Sequence, residues 1–177
     1  KLELPSSVKQ WVSPQFMNID NKRVDTIRVT SVDEQVLVVN RIDKTGTKFK
    51  IIDLPPEREI EYQSDIDNMA EGLDRLELED IRKAAGFEFP REKTINTRYR
   101  MYDGLIVDAE LFEDEASKFW GRFKASTESS SSEEVKKEAG KMNSKVSDWV
   151  YQLPAHKFRY MSRKIGDVLK QLEKKKN

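Results

Sequence analysis

One pattern occurs twice in the sequence: a short apolar strand, a Leu-Pro pair and then an amphipathic helix. The first copy is residues 51–55, and the helix after it ends near Leu76. The second copy is residues 150–154, and the helix after it ends near Leu172. Two further strand-like segments precede each copy. Because three strands and one helix bury little apolar surface alone, we expect the two copies to pack around a shared core.

This repeat predicts an α+β fold of two β-β-β-α units related by pseudo-symmetry, with mainly antiparallel sheets and helices packed on one face. The first unit, with an irregular lead, is placed at residues 1–93. The second unit, with an extra strand and an inserted helix, is placed at residues 94–177. The two are expected to form one globular body. Since strand–Pro–helix sequences are common, chance similarity is the alternative explanation.

Clusters of β-branched and aromatic residues predict the individual strands. The predicted strand segments are residues 24–29, 35–42, 48–54, 119–125 and 149–153, together with a hairpin over residues 97–112. The pair Asp103-Gly104 predicts a two-residue turn in that hairpin, because both residue types tolerate a positive φ.

Helix signals fall between the strands. Apolar residues at helical spacing predict a helix from Ser64 to Leu76, and residues 79–85 predict a shorter helix. Ser131, with a glutamate three positions later, has the form of a capping box before a helix over residues 135–146. Pro154 is expected in the first turn of the last helix.

Composition limits the partners that the chain can have. It carries 32 Lys+Arg and 32 Asp+Glu, a balance unlike that of a dedicated nucleic-acid binder, so we expect no nucleic-acid partner. The basic run at residues 174–176 is interpreted as a solvated helix end. The absence of cysteine excludes disulfides and thiol chemistry. The chain begins with Lys1 rather than Met, so we expect an excised fragment from which any signal or anchor has been removed.

The candidate binding residues are aromatic and basic side chains that interleave on the predicted strands. They are Tyr99, Tyr102, Trp120 and Arg122. Exposed side chains of this kind stack on RNA bases, sugars or peptides. Ordinary packing between neighbouring strands explains the same pattern equally well.

Candidate catalytic residues are sparse. His156 is the only histidine, which excludes a multi-histidine metal site, and its place near a helix start is typical of a surface residue. The acidic stretch at residues 103–115 lacks the spacing of a calcium loop and is interpreted as a solvated hairpin edge, with weak binding of calcium or binding of a basic partner as the alternatives. We therefore expect no catalytic residue, no metal and no cofactor. A carboxylate-dependent hydrolase is the alternative enzyme class.

Several short motifs together resemble the bacterial family of domains of unknown function that is numbered 4340, over residues 19–173. The motifs are Val24-x-x-Ile27-x-Val29, Phe49-Lys50-Ile51-Ile52-Asp53-Leu54-Pro55, Leu73-Asp74-Arg75-Leu76, Tyr102-Asp103-Gly104-Leu105, Phe119-Trp120 and Trp149-Val150-Tyr151-Gln152-Leu153-Pro154. The resemblance implies an N-terminal membrane anchor, a location outside the cytoplasm and association with ABC-type transporter components of the gliding-motility or auxiliary type. It implies no catalytic residue.

These observations predict a non-catalytic, extracytoplasmic accessory or scaffolding domain of a membrane-associated, ABC-type transport system. Such a domain acts by protein–protein contact, so the expected partner is a protein of that complex. The membrane itself would be reached only through the missing anchor. The alternative is an envelope glycan- or peptide-binding module that uses an exposed aromatic and basic strand face.

Overall fold

Alternation of apolar and polar residues with a period of two builds the sheet that dominates this computed structural model, which describes residues 14–171. The strands of these residues are β1 (Gln15–Met17), β2 (Val24–Thr30), β3 (Val36–Arg41), β4 (Phe49–Ile51), β5 (Leu76–Glu77), β6 (Asp80–Lys83), β7 (Ile95–Met101), β8 (Leu105–Glu113), β9 (Phe119–Thr127) and β10 (Trp149–Gln152). The α-helices are α1 (Gln63–Asp67), α2 (Glu133–Val146), α3 (Ala155–Met161) and α4 (Ile165–Val168). A 3₁₀ turn, Asn68–Gly72, continues α1.

Eight strands form one sheet in the order β4-β3-β2-β7-β8-β9-β10-β6, and each neighbouring pair is antiparallel. Strands β1 and β5 pair separately, also antiparallel. The predicted mixed class with mainly antiparallel sheets is therefore confirmed, and so are the strands predicted from β-branched clusters. Strands from both sides of the predicted boundary at residue 93 belong to this one sheet, because β2 pairs with β7. The proposed division into two units at that boundary stays a prediction.

The helices cover one side of the large sheet, which we call the core face. Tyr99 of β7 is fully buried there, and its hydroxyl donates to the Met69 carbonyl at 3.0 Å. Thr97 donates to the Met161 carbonyl at the end of α3, at 2.6 Å. Residues from β2, β3, β7, β8, β9 and the helices belong to a single buried cluster. The prediction that helices pack on one face of the sheet agrees with this arrangement.

Polar side chains from the helices bind backbone groups at exposed edges of the sheet. In the described part of the chain, β10 pairs with β9 only at Gly121 and Trp120, so Ala125 lies beyond that pairing. The Asn143 amide of α2 accepts from the Ala125 N–H at 2.8 Å and donates to its carbonyl at 2.8 Å. At the opposite edge, Gln63 and Asp67 of α1 bind the Phe49 carbonyl and N–H at 2.7 and 2.8 Å. These contacts satisfy backbone groups that could otherwise pair with another chain.

The short helix predicted at residues 79–85 is wrong: the segment is strand β6. Its residues pair with β10 from Gln152↔Asp80 to Trp149↔Lys83. Pairing with a strand distant in sequence overrides a local helical preference that extends over less than two turns.

Four predicted features of the helices also differ. The helix predicted from Ser64 to Leu76 is a five-residue α-helix that tightens into the 3₁₀ turn. The last helix divides at Ser162 into α3 and α4, and Leu169 then makes an isolated bridge to Ile60. Ser132, not Ser131, caps α2 by accepting from the Val135 N–H. Pro154 is the N-cap residue of α3 rather than a first-turn residue. Residues 172–177, which include Leu172 and the basic run, lie outside the described residues.

The hairpin turn is one residue longer than predicted. Only Gly104 has a positive φ, of 83°, and Tyr102 joins Asp103 and Gly104 in a three-residue connection between β7 and β8. A Cβ at Gly104 would lie 2.3 Å from Ser131 Oγ, which is a second reason for glycine there.

The topology does not support the predicted correspondence between the two Leu-Pro segments. Strands β2 and β8 are both antiparallel to β7, so they run parallel to each other. From β2 the chain continues through β3 and β4 toward one edge, whereas from β8 it continues through β9 and β10 toward the other. Their first strands run in the same direction, but the two meanders extend in opposite directions across the sheet, so their layouts are mirror images. Because the helices of both lie on the same face, no rotation superposes one meander on the other.

Candidate functional site on the open face of the sheet

The side of the large sheet opposite the helices carries mostly polar side chains, and we call its central part the open face. It is formed by Thr26, Arg28 and Thr30 of β2, Asn96, Arg98 and Arg100 of β7, Ile106, Asp108 and Glu110 of β8, and Arg122, Lys124 and Ser126 of β9. A groove of about 750 Å³ lies over part of it. Because strand side chains alternate between faces, the same strands that fill the core present this second set.

The strand register aligns these residues in rows across the sheet. One row reads Arg28↔Arg98↔Asp108↔Lys124. The next row reads Thr30↔Asn96↔Glu110↔Arg122. Residues in one row are direct cross-strand neighbours, so their side chains are within reach of each other.

Ion pairs order the middle of the open face. The Arg98 guanidinium donates two hydrogen bonds to the Asp108 carboxylate, at 2.7 and 3.1 Å. The carboxylate raises the pKa of Arg98 above its usual range. In the next row, Arg122 Nε donates to Glu110 at 2.5 Å. These charge-assisted hydrogen bonds hold both carboxylates in a fixed geometry.

Two cations of the open face have no such partner. Arg28 and Lys124 are exposed, and in the part of the chain that the structure describes neither side chain has an ion-pair or hydrogen-bond partner. Arg28 lies directly opposite another cation, Arg98. The row that contains them holds three cations and one carboxylate, so it attracts anions.

An aromatic segment borders one end of the open face. Residues 84–89 cross over the sheet, and Phe87 packs on Trp120 with ring centroids 4.9 Å apart. The Arg122 guanidinium lies 4.9 Å from the Phe89 ring centroid. The Trp120 indole donates to the Asp114 carboxylate at 2.9 Å, and this hydrogen bond is the main cause of the lowered pKa of Asp114.

The structure does not bring the four predicted binding residues together. Tyr99 is fully buried on the core face, and burial raises the pKa of its hydroxyl. Trp120 is fully buried on the opposite face beneath residues 84–89. Tyr102 is partly buried in the β7–β8 turn, with Lys44 Nζ 5.1 Å from its ring centroid. Only Arg122 belongs to the open face, so the four do not form an exposed stacking platform.

The remaining candidates have structural surroundings. His156 is exposed in the first turn of α3, as predicted, with its ring 5.9 Å from that of Tyr160. In the acidic stretch, Asp103 binds Arg23, and Asp114 accepts from the N–H groups of Ala116 and Lys118. Among residues 14–171, no group of three or more metal-binding side chains is placed to hold an ion.

Sequence reasoning missed the contribution of Arg28 and Lys124. The signal was present as polar residues at alternate positions of four strands. This alternation could be interpreted only once the order of the strands was known. Arg28 and Lys124 are 96 positions apart in the sequence, and they belong to the same row only because β7 and β8 lie between their strands.

No family model matches the chain, and no curated protein or solved structure is detectably similar to it. None of the helices in the described residues is long and apolar enough to cross a membrane.

Proposed function

We propose that this chain is a non-catalytic accessory domain of a membrane-associated, ABC-type transport system, located outside the cytoplasm, and that it binds a protein partner on the open face of its sheet. The observation that carries the binding surface is the exposed row with unpaired Arg28 and Lys124. The transport role and the location rest on the resemblance of the sequence motifs. Membership of that family is itself part of the proposal.

The distribution of helices supports this choice of surface. The buried side chains of the helices pack against the core face. At the sheet edges, α2 binds backbone groups of β9 and α1 binds backbone groups of β4. The open face remains accessible, and ion pairs between its strands hold in place the side chains that lie beside the two unpaired cations. Preordered side chains lower the entropy lost on binding, which favours recognition of a macromolecular partner.

Site-specific photocrosslinking tests the proposal. A photoreactive phenylalanine analogue is placed at Asn96 on the open face, and in a matched variant at Lys137 on the exposed side of α2. Each chain is added to intact membranes, irradiated, and the products are identified by mass spectrometry. We expect a transporter component or envelope protein to be crosslinked from position 96 and not from position 137. Equal yields from both positions, or recovery of neither class of protein, would count against the proposal.

We also infer a pseudo-symmetric origin, with units that differ from the predicted ones: β2-β3-β4-α1 and β7-β8-β9-α2. The central strands β2 and β7 are adjacent and antiparallel, and each meander proceeds outward from them. In both units the helix that follows uses side chains to bind backbone groups of the outer strand, at Phe49 and at Ala125. A two-fold axis normal to the sheet between β2 and β7 would exchange the two units.

A further inference from the structure

We propose that Arg28 and Lys124 form a two-point clamp that binds an acidic segment of a protein partner through two carboxylates about four residues apart. This inference rests on the proposed function and specifies the chemistry of the partner. Both cations are exposed on the open face, and within residues 14–171 neither side chain makes an ion pair. Asp108 lies directly opposite Lys124, but its carboxylate is held by Arg98.

The strand register sets the spacing of the clamp. Arg28 and Lys124 occupy the first and last positions of one row, with Arg98 and Asp108 between them. Neighbouring strands lie about 4.8 Å apart, so the two backbones are separated by about 14 Å. An extended peptide advances about 3.4 Å per residue, and carboxylates at positions i and i+4 therefore span the same distance.

The charges within the row favour a protein segment over a nucleic acid. Arg98 is neutralised by two hydrogen bonds to Asp108, so the positive ends of the clamp are separated by a neutral pair. A nucleic-acid strand carries a charge about every 3.4 Å along a duplex axis and would place phosphates over Asp108 and Glu110. A peptide can instead carry acidic residues at the two ends and neutral residues between them.

The position of Arg28 is unfavourable for the sheet by itself. It lies directly opposite Arg98, so it gains no attraction from its cross-strand neighbour, and the repulsion between the two cations is only reduced by the Arg98–Asp108 ion pair. No ion pair or hydrogen bond of the described residues gives the Arg28 guanidinium a structural role. We therefore expect Arg28→Thr to leave the stability of the chain unchanged or raise it, while binding of an acidic ligand falls. A structural role would produce the opposite result, a loss of stability.

Peptide titrations test the clamp. Fluorescence anisotropy is measured with a labelled ten-residue Ser/Thr peptide carrying glutamates at i and i+4, and with a peptide of the same composition whose glutamates are adjacent. We expect the spaced peptide to bind more tightly, and Arg28→Gln/Lys124→Gln to weaken it about tenfold. Raising the salt concentration should weaken wild-type binding and have little effect on the double variant. The control Lys141→Gln/Arg159→Gln removes two exposed cations elsewhere and should bind like wild type.

Three results would overturn the clamp: equal affinity for the two peptides, equal loss in the control variant, or tighter binding of a single-stranded oligonucleotide. The membrane crosslinking experiment, repeated with Arg28→Gln/Lys124→Gln, separates this failure from failure of the proposed function. Persistent crosslinking from position 96 would retain the partner and reject the clamp. Spaced-peptide binding without any membrane partner would retain the clamp and reject the transport role.

Discussion

Gly72 determines how closely the turn after α1 approaches the sheet. A Cβ at this position would lie 2.3 Å from the Tyr99 hydroxyl and 2.7 Å from Met161 Cγ. Tyr99 is fully buried and its hydroxyl is bound to Met69, so it has little freedom to move. The glycine therefore permits the contact between the 3₁₀ turn, the sheet and α3.

We expect Gly72→Ala to lower the free energy of unfolding by about 2–4 kcal/mol, through overpacking and weakening of the Tyr99 hydrogen bond. Urea unfolding followed by circular dichroism measures the change. Gly140→Ala is the matched control: it lies in α2 with nothing within 4 Å of a new Cβ, so it should raise stability by about 0.5–1 kcal/mol. A Gly72→Ala protein as stable as wild type would show that the close approach is not required.

The Asp114 carboxylate links the stability of the folded protein to pH. Hydrogen bonds from Trp120 and from the Lys118 and Ala116 N–H groups lower the pKa of its carboxyl. Because the pKa of Asp114 is lower in the folded state than in the unfolded state, its ionised carboxylate stabilises the folded protein. This stabilisation is complete at pH values above the unfolded-state pKa, near 3.9, and is lost as the pH falls through the folded-state pKa. We expect Asp114→Asn to be less stable than wild type at pH 7, with a difference that shrinks below about pH 4.

Urea unfolding of both proteins between pH 2 and pH 7 checks this expectation. Glu115→Gln, which alters the exposed neighbouring carboxylate, serves as the control and should follow wild type at every pH. A stability difference between Asp114→Asn and wild type that stays constant over the whole range would be inconsistent with the proposed linkage.

For single residues, the sequence predicts to which face of a strand a side chain points better than it predicts whether that side chain is exposed. Alternation along β9 predicts that Phe119, Gly121 and Phe123 lie on one face and Trp120 and Arg122 on the other, and the structure agrees. The binding hypothesis requires an exposed Trp120, whereas the structure buries it, because residues 84–89 cover that end of the second face. Alternation alone identifies the two faces of a strand, but which parts of each face are covered depends on connections far away in sequence.

Helix α2 acts as an edge element as well as a core element. Its apolar side chains Val135, Ala139 and Val146 are buried, while Asn143 binds both backbone groups of Ala125. The amide pairs with one residue of β9 as a neighbouring strand would. Asparagine inside a helix lowers helix stability slightly. We infer that its contact with the edge of β9 explains why asparagine occupies this position.

We expect Asn143→Ala to destabilise the protein by about 1–3 kcal/mol, since it leaves two partly buried backbone groups unpaired. Ser144→Ala, at the exposed neighbouring position, should change stability by less than about 0.5 kcal/mol. Hydrogen exchange gives the local readout: the Ala125 amide should exchange faster in Asn143→Ala and at the wild-type rate in Ser144→Ala. Unchanged Ala125 exchange in Asn143→Ala would refute the edge role.

Elements with strong local signals were predicted well, and elements that depend on distant pairing were not. The β-branched runs of β2 and β3 and the alternation in β8 identify strands without further information. Strand β6 is only four residues long, and its partner β10 lies more than sixty positions away in the chain. Its residues could not be distinguished from a short helix until that pairing was known.

The whole molecule has one main core to which both halves contribute. Leu37 of β3 and Val107 of β8 are fully or almost fully buried in the same cluster. Strand β6 leaves the first half to pair with β10 at the far edge of the sheet, and Lys157 of α3 donates to the carbonyls of Glu71 and Asp74 at 2.6 and 2.5 Å. The sequence predicted a shared core, but it could not provide the strand order that produces it.

These connections predict that the halves unfold together. Leu37→Ala should lower the free energy of unfolding by about 2–4 kcal/mol, because it removes buried methyl groups and leaves a cavity. If the sheet is one cooperative unit, the slowest-exchanging amides of β8 and β9 should lose the same free energy of protection as those of β2 and β3. Val107→Ala, the reciprocal variant in the second half, should likewise reduce protection in β2 and β3. Native-state hydrogen exchange by NMR measures both, and loss of protection confined to the mutated half would show two independent units instead.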